Sequence, residues 1–470
     1  MSSWAEAKWI SDNIISHLIQ KGTQPNNMKK FDITILSNSS VGLKFLEPDD
    51  IRSGGNLICA TGGVMIRMSD KEYPQTINDG VLVLENTDIG KYNQKEYVVD
   101  NLKPDTIYYF TAFPFSTDKV YNMSQSDSNR VKIKVAPIYG IKRNINSSTP
   151  YWERTNSSKG LSATGAIGVT PGKSDFDNIY PWSDMKRETL YTGDVMVKIP
   201  EFYCRRYRDE NTEYIEISKY KIDGFFKHPG SGRYLGAYKT SNDKYSKSGE
   251  KPTVNQTRST MRGNAKNKGN GWGLMDIATD SALQMLFLVE FANNDSQRVL
   301  GKGWTNNSES LVSGTCDNVP NLLGRAVGID GKADIVYRGI EGIWGNIYEW
   351  VDGLNINKQE YYISTNPLNY ADDTDNGYTK INYTGYKGTG YISKMGIDDS
   401  QPWAILPTEM TASDSTGFCD WADVTASGWC VPFRSGNWYV GSYSGLFSLY
   451  CYYSSANYYS DVGSRLLYTP

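Results

Sequence analysis

Residues 345–353 of the 470-residue chain are GNIYEWVDG, the stretch that decides the expected fold. The rings of Tyr348 and Trp350 stand close to glycines, which is typical of a strand and turn where aromatic faces pack against backbone. Glu349 lies between these rings. An acid or base role is conceivable for Glu349 and for Glu341 upstream, but a carboxylate between two rings more often accepts hydrogen bonds from a turn. We therefore expect both glutamates to be structural.

The composition favours strands, turns and aromatic surfaces over helical bundles. The chain has 34 Tyr, 12 Trp and 44 Gly but only 2 His, and its formal net charge is −3. A balance so close to neutral gives no electrostatic footprint for nucleic acid or anionic lipid. No uncharged apolar run approaches the roughly 18 residues that a membrane span needs, and residues 1–22 lack the features of a signal peptide. We predict a protein made in the cytoplasm, with no membrane insertion and no nucleic-acid partner.

The six cysteines are scattered without a C-x-x-C pair and give no metal signature. Cys419 and Cys430 are close enough in sequence to bridge, but cytoplasmic products rarely keep disulfides. We therefore expect reduced thiols that fill core space. The acidic run ADDTDNGY at 371–378 resembles a calcium loop only faintly, because it lacks the regular ligand alternation and the terminal glutamate. We expect a solvated loop there, with no metal and no cofactor.

Patterning along the chain predicts a mainly β fold with an α+β C-terminal domain. Residues 1–24 combine a capping box with an apolar stripe, so we expect an amphipathic helix used for attachment or oligomerisation. Residues 28–137 contain short strand-like runs separated by turn residues, the spacing of a β-sandwich. A polar stretch at 138–150 is predicted to be a linker. Residues 151–470 are predicted to form one large domain, with a buried helix over TDSALQMLFLVEFAN, capped by Thr279 or Asp280.

The sandwich segment carries one sharp local signal. Residues 102–108, LKPDTIY, are similar to the tyrosine-corner segment of fibronectin type III domains, in which a tyrosine hydroxyl bonds to upstream backbone. The resemblance implies that Tyr108 makes such a bond. It also implies that this domain is a spacer or adaptor.

The large domain resembles a known family at several separate stretches. GNIYEWVDG is similar to the Gly-Asn-Val-Trp-Glu-Trp-Val segment of formylglycine-generating-enzyme-like domains, a branch of the C-type lectin fold. VPFRSGNW (431–438), GLFSL (445–449) and VGSRLL (462–467) look like the closing elements of that fold. Their order and wording are most similar to the variable proteins of diversity-generating retroelements, typified by phage tropism determinants. Ser464 departs from the pattern, since the broader fold often has phenylalanine there.

A formylglycine-generating oxidase would need two nearby reactive cysteines, because thiolates are the soft ligands that copper(I) selects. The closing stretch contains Cys451 alone. Its alternation with Phe447 and Leu449 places it inward as a small core residue. His17 and His228 are the only histidines and neither lies near it in sequence. We therefore predict that the protein is not an enzyme.

The same alternation predicts a tyrosine-rich surface near the carboxyl end. If the apolar residues of GLFSLYC (445–451) point inward, then Ser448, Tyr450 and Tyr452 point outward. Exposed tyrosine beside serine, asparagine and glycine is the chemistry of antibody paratopes, because each ring offers a rigid amphipathic area at small entropic cost. We expect a ligand-binding surface there.

The retroelement resemblance implies that some of these positions are diversified. In that family, adenines in Asn-type codons are randomised, so framework positions stay fixed while binding positions vary. The variable region is expected at about 434–466. The expected ligand-binding positions are Tyr439, Val440, Tyr443, Ser444, Ser448, Tyr450, Tyr452, Tyr453, Asn457, Tyr459 and Asp461.

The resemblance leads to one expected function and two rivals. We expect a non-enzymatic receptor-binding or adhesion protein of a phage or prophage tail, located in the virion. Its expected partners are a bacterial surface protein or glycan and other tail proteins, with a homotrimer possible. One rival is a surface-acting enzyme, either the oxidase above or a glycan hydrolase. The other is a purely structural virion component whose tyrosines bury against a neighbouring subunit.

Overall fold

The structure, a computed structural model, describes residues 22–385, 387–425 and 427–470. It is 36% strand and 11% helix, so the predicted mainly β fold is confirmed. The chain divides into two compact units, Met1–Ile138 and Tyr139–Pro470. The helix predicted within 1–24 falls on residues 1–21, which lie outside the described residues. Within the described ranges, no helix has the length and apolar character needed to cross a membrane.

The strands described in the N-terminal unit are β1 (Lys30–Ile35), β2 (Val41–Leu46), β3 (Ile51–Ser53), β4 (Asn56–Cys59), β5 (Thr61–Ser69), β6 (Val81–Asn86), β7 (Tyr97–Val99), β8 (Ile107–Ser116) and β9 (Arg130–Lys134). They form a β1-β2-β7 sheet, a β6-β5-β8-β9 sheet and a β3-β4 hairpin. Phe45 of the first sheet and Ile66 and Phe110 of the second share one buried core. The unit is therefore built from two sheets that pack around a common interior.

The tyrosine-corner segment has the predicted local geometry. The backbone N–H of Lys103 donates to the hydroxyl of Tyr108 across 3.0 Å. Asp105 adopts the left-handed conformation that the tight turn requires, which aspartate tolerates better than most residues. Its N–H donates to the carbonyl of Val135 across 2.8 Å. The turn that precedes β8 is thus fixed from both sides.

The C-terminal unit has three described α-helices: α1 (Arg258–Lys266), α2 (Ile277–Phe291) and α3 (Ser296–Leu300). Its described strands are β10 (Tyr139–Asn144), β11 (Glu153–Asn156), β12 (Ala166–Ile167), β13 (Arg187–Thr189), β14 (Val195–Ile199), β15 (Tyr203–Asp209), β16 (Thr212–Ser218), β17 (Phe226–Lys227), β18 (Arg233–Gly236), β19 (Trp272–Leu274), β20 (Gly324–Arg325), β21 (Ile335–Tyr337), β22 (Ile340–Glu341), β23 (Tyr348–Trp350), β24 (Leu354–Asn357), β25 (Glu360–Ile363), β26 (Thr379–Thr384), β27 (Gly388–Tyr391), β28 (Lys394–Met395), β29 (Pro407–Glu409), β30 (Trp421–Val424), β31 (Trp429–Cys430), β32 (Phe433–Ser435), β33 (Gly445–Tyr450), β34 (Val462–Gly463) and β35 (Leu466–Tyr468).

Helix α2 lies in the core of this unit. Every residue of α2 except Phe291 is buried, which confirms the burial predicted from its all-round apolar character. The predicted cap at Thr279 or Asp280 is wrong, because the helix begins earlier. Asp276 is the N-cap, and its carboxylate accepts from the backbone N–H of Thr279 across 2.8 Å.

The predicted linker at 138–150 is also wrong. Its first half is β10, which pairs with β11 on one side and β16 on the other. Ile141 on β10 is fully buried. Arg143 made the segment look solvated, but its guanidinium lies over the ring of Phe418 at 5.2 Å and donates to the carbonyl of Ser147. A long cationic side chain can bury its stem in this way, which composition alone does not reveal.

A six-stranded sheet, in the order β27-β30-β33-β32-β23-β34, carries the candidate site. The opening stretch GNIYEWVDG forms β23, between β32 and β34. Three of the separate stretches quoted above therefore become neighbouring strands, and GLFSL forms β33 beside them. One side of β33 packs on α2, where Phe447 contacts Phe287 and Gln284 donates to the carbonyl of Leu446.

Glu349 on β23 is buried and binds two cations instead of a turn. Arg465 donates to it across 2.8 Å and Lys239 across 2.7 Å. Burial alone would raise the pKa of Glu349, but Arg465 and Lys239 hold it below the usual value. Arg465 also donates to the carbonyls of Gly236, Glu341 and Gly342. A carboxylate held ionised and fully paired is structural, as expected.

Glu341 lies in the same interior and behaves differently. Its carboxylate accepts from the backbone N–H groups of Gly314 and Cys316. Burial and the neighbouring Asp334 raise the pKa of Glu341 to about 8, and burial raises that of Asp334 to about 6. Glu341 therefore enters the folded state with its proton near neutral pH.

The expectation of six reduced cysteines is wrong. Cys430 and Cys451 form a disulfide, with their Cα atoms 5.8 Å apart. Cys430 belongs to β31, which pairs with β24, whereas Cys451 directly follows β33. The bond thus joins two different sheets, a proximity that sequence spacing did not reveal. Cys59, Cys204, Cys316 and Cys419 are free and buried.

Replacing both Cys430 and Cys451 with serine should lower the free energy of unfolding by about 3 kcal/mol, because the bond closes a loop of 21 residues in the unfolded chain. Denaturant unfolding with and without reductant measures this. Reductant should move the wild-type midpoint toward that of the double variant and leave the variant unchanged. Equal midpoints for both proteins without reductant would contradict the prediction.

Stability should fall between pH 6.5 and pH 8. A carboxyl whose pKa is raised on folding stabilises the protein below its unfolded pKa, and this contribution is lost as pH rises to the folded pKa, here about 8 for Glu341. The window begins at 6.5 because His228, whose pKa burial lowers to about 3, gives the opposite slope below that pH. We expect a loss of about 2 kcal/mol at most. Chemical denaturation at several pH values should show a shallower slope for Glu341→Gln, and equal slopes would contradict the assignment.

Candidate functional site

The predicted outward alternation on β33 is wrong for its middle and end. All six residues of β33 are buried, including Ser448 at 2% exposed and Tyr450 at 4% exposed. Ser444, just before the strand, is fully buried as well, with Gly436 packed closely against it. These three residues are therefore part of the scaffold and not of the outer surface.

An aromatic layer buries the side of β33 that faces away from α2. The ring of Tyr450 stacks on Phe433 and meets Tyr348 edge-on at 4.9 Å. Tyr452 packs against both Phe433 and Tyr450 from outside. The hydroxyl of Tyr450 donates to the carbonyl of Tyr443 across 2.9 Å. Period-two alternation assigned the correct side of the strand but could not predict this second cover.

The remaining tyrosines of the region do reach the surface. Tyr439 and Tyr458 are each 59% exposed and Tyr443 is 41% exposed. Tyr452, Tyr453 and Tyr459 are half-buried. We call these six residues the tyrosine face. Of the other expected positions, Val440, Asn457 and Asp461 are also half-buried, so they border this face.

Ring stacking holds the tyrosine face in place. Tyr453 lies between two parallel neighbours, Phe433 at 5.2 Å and Tyr459 at 4.2 Å. Tyr452 meets Tyr453 edge-on at 4.3 Å. Such pairs stabilise by about 0.5–1.5 kcal/mol each beyond their buried area. The rings therefore present fixed edges and hydroxyls to the outside.

Two aromatic residues outside the predicted region extend the surface. Trp421 on β30 stacks on Tyr443 at 4.2 Å, and Tyr391 on β27 meets Trp421 edge-on at 5.0 Å. The hydroxyls of Tyr391 and Ser442 are 2.7 Å apart. Sequence reasoning missed both residues, because β27 and β30 are far from the variable region in sequence. Tyr458 was missed from the expected set although its position in the Tyr-rich run was visible.

The polar groups of the face are hydrogen-bond donors and acceptors of fixed protonation. Asp461 accepts from the amide of Asn437 across 2.7 Å and from the hydroxyl of Tyr439 across 3.1 Å. Burial, with smaller effects from neighbouring groups, raises the pKa of Tyr453 to about 12 and also raises that of Tyr452. These phenols therefore stay neutral near neutral pH. The arrangement suits contact recognition and offers no nucleophile.

The segment that carries Tyr452–Tyr459 is tied down by several bonds. The N–H of Val431 donates to the carbonyl of Tyr453, and that of Asn255 to the carbonyl of Tyr459. Ser455 donates to the carboxylate of Asp373. With the disulfide at Cys451, the segment is fixed at its start, middle and end.

The loop at 371–378 is less solvated than expected. Asp372 is an ion-pair partner of both Arg258 and Arg262 on α1. The same two arginines reach Asp352, bidentately in the case of Arg262. The acidic run therefore anchors α1. Within the described residues, no cluster of three or more His, Cys, Asp or Glu side chains could hold a metal.

Cys451 does have a cysteine partner, so the sequence argument from a missing second thiol is wrong. Its partner Cys430 and Cys451 itself are both buried and joined to each other. In this oxidised form neither sulfur is a nucleophile or a thiolate ligand. The disulfide acts here as a clamp between two sheets.

The tyrosine face is an open surface. Cavities of about 610, 270 and 250 Å³ occur elsewhere in the C-terminal unit, and none is lined by a residue of the face. An open, ring-covered surface suits a ligand that spreads over it. Small-molecule sites, by contrast, are concave and bury most of their ligand.

Tyr450→Ala should lower the free energy of unfolding by about 3 kcal/mol, because it opens a cavity beneath the aromatic layer. Tyr458→Ala, a matched change on the surface, should shift it by less than about 0.5 kcal/mol. Thermal or denaturant unfolding of the two variants measures both values. Similar stability for the two would show that Tyr450 is not the support described here.

Comparison with known proteins leaves these residues as the basis for any functional conclusion. No protein-family model matches the chain, and no curated protein matches it either. Fold class, burial and side-chain geometry are therefore what a functional proposal can use.

Proposed function

We propose that the chain is a receptor-binding or adhesion protein of a phage or prophage tail that contacts a bacterial surface ligand through the tyrosine face. The observation that carries the proposal is the grouping of exposed and half-exposed tyrosines, Tyr439, Tyr443 and Tyr458 foremost, on one side of the six-stranded sheet. Rings with hydroxyls on a rigid support bind protein and glycan ligands at low entropic cost. The resemblance to retroelement variable proteins supports the same function.

Burial narrows the set of positions that can vary. A diversified position must accept many side chains without loss of folding, so Ser444, Ser448 and Tyr450 are unsuitable because they are buried. The proposed variable and ligand-binding positions are Tyr439, Val440, Tyr443, Tyr452, Tyr453, Asn457, Tyr459 and Asp461. Tyr458, Tyr391 and Trp421 add contact area around them.

The disulfide supports a place of action outside the reducing cytoplasm. Disulfides persist in oxidising surroundings and are rare where thiols are kept reduced. A tail protein folds in the host cell and acts on the released particle, where Cys430 and Cys451 can stay joined. Several copies per particle, in a homotrimer or beside other tail proteins, would add avidity without new contacts.

Replacing Tyr439, Tyr443 and Tyr458 together with alanine should abolish cell binding and leave the unfolding midpoint unchanged, since all three side chains are largely exposed. A pull-down of the purified chain on a panel of bacterial strains measures binding, with the strains that retain wild-type protein as the reference. The matched control replaces Tyr151 and Tyr191, which are 51% and 80% exposed and lie outside the face.

The control variant should bind as wild type does. Undiminished binding by the triple variant would place the receptor site elsewhere. If no strain retains the wild-type chain, but the tyrosine face is protected from iodination in the assembled particle, the tyrosines contact a neighbouring subunit, and adhesion is the wrong function.

A further inference from the structure

A second concave site lies between helix α1 and the edge strand β19, away from the tyrosine face. Its volume is about 270 Å³, just below the range of roughly 300–1,000 Å³ of pockets for drug-sized ligands. We call it the α1–β19 slot and define it by Lys266, Asn270, Trp272, Gly273, Leu368 and Thr469, which all line it. Its size suits one compact ring.

A glycine at the centre of β19 keeps the slot open. A Cβ atom built on Gly273 would meet no atom within 4 Å, and the residue is not in the left-handed region. Neither backbone conformation nor close packing therefore requires glycine here. Glycine within a strand often marks a place where another molecule approaches the backbone.

A buried donor in the slot has no partner. Trp272 is only 4% exposed, and its indole N–H makes no hydrogen bond within the described residues. Buried donors are almost always paired, so an unpaired one is a marker of a missing acceptor. The ring itself is held by the ammonium of Lys268 at 4.5 Å and by the ring of Tyr468 at 4.9 Å.

The charge of the slot favours an anion. Arg262 and Asp352, which also line it, neutralise each other across 2.6 Å. The exposed ammonium of Lys266 makes no ion pair or hydrogen bond with any residue in the described ranges, so it leaves one uncompensated positive charge at the rim. A carboxylate is the acceptor that can use both this ammonium and the indole N–H.

The rest of the lining is suited to a sugar ring. Leu368 is 90% exposed at the rim and offers apolar surface to the C–H face of a ring. The side chains of Asn270 and Thr469 make no hydrogen bonds within the part of the chain that the structure describes, so they are available for hydroxyl groups. We propose that the α1–β19 slot binds a single carboxylate-bearing sugar residue, such as a hexuronate.

The test uses the full chain labelled with ¹⁵N at tryptophan, with the indole resonance of Trp272 assigned from Trp272→Phe. Titration with glucuronate should shift this resonance in a saturable way. Glucose and acetate, which carry only one half of the proposed chemistry each, should bind at least tenfold more weakly. Equal binding of glucose would overturn the role of charge, and equal binding of acetate would overturn the sugar.

Gly273→Leu should fill the slot and weaken glucuronate binding at least tenfold, and Lys266→Ala should do the same by removing the charge. The matched control is Gly263→Leu on α1, where a Cβ atom also meets open space outside the slot lining. It should bind as wild type does. An unchanged titration in Gly273→Leu, or no shift of the Trp272 resonance at all, would refute the site. The triple tyrosine variant should still bind glucuronate, so failure of either proposal leaves the other intact.

Discussion

The architecture of the C-terminal unit depends on one buried carboxylate, Glu349. Removing a charge from water is costly, and it is tolerated only when partners are positioned to satisfy it. Arg465 and Lys239 do so, and Arg465 continues to three backbone carbonyls. Deleting one partner would leave an uncompensated charge in the interior, a cost of about 3–5 kcal/mol. The pair therefore fixes β23 relative to the C-terminal end of the chain.

The rigidity of the tyrosine face follows from that constraint. β23 supplies Tyr348, whose ring contacts both Phe433 and Tyr450, and these in turn support Tyr452 and Tyr453. The layers thus run from a fixed ion pair through buried rings to exposed rings. A surface ordered in advance loses little conformational entropy when it binds, so more of its contact energy appears as affinity. The disulfide at Cys451 prevents the outermost layer from separating from this support.

Sequence reasoning succeeded where local patterns decide the structure. The mainly β class, the burial of α2 and the Tyr108 bond all depend on short-range alternation, all-round apolarity or turn chemistry. It failed where a distant segment decides the outcome. Tyr450 is buried by rings from other strands, and Cys430 meets Cys451 because two sheets converge. Arg143 made a strand resemble a linker, because burial of an arginine stem is invisible to composition.

The same distinction explains how a surface can vary while its fold does not. Ring contacts that fix the scaffold belong to Tyr348, Phe433 and Tyr450, whose burial leaves no freedom for other side chains. Tyr439 and Tyr443 gain part of their contacts from solvent-facing partners, so other residues can replace them at little cost to folding. Trp421 is intermediate, since it stacks on Tyr443 but is carried by β30. An aromatic anchor outside the diversified segment would give every variant a common contact, while the variable rings around it determine which ligand binds.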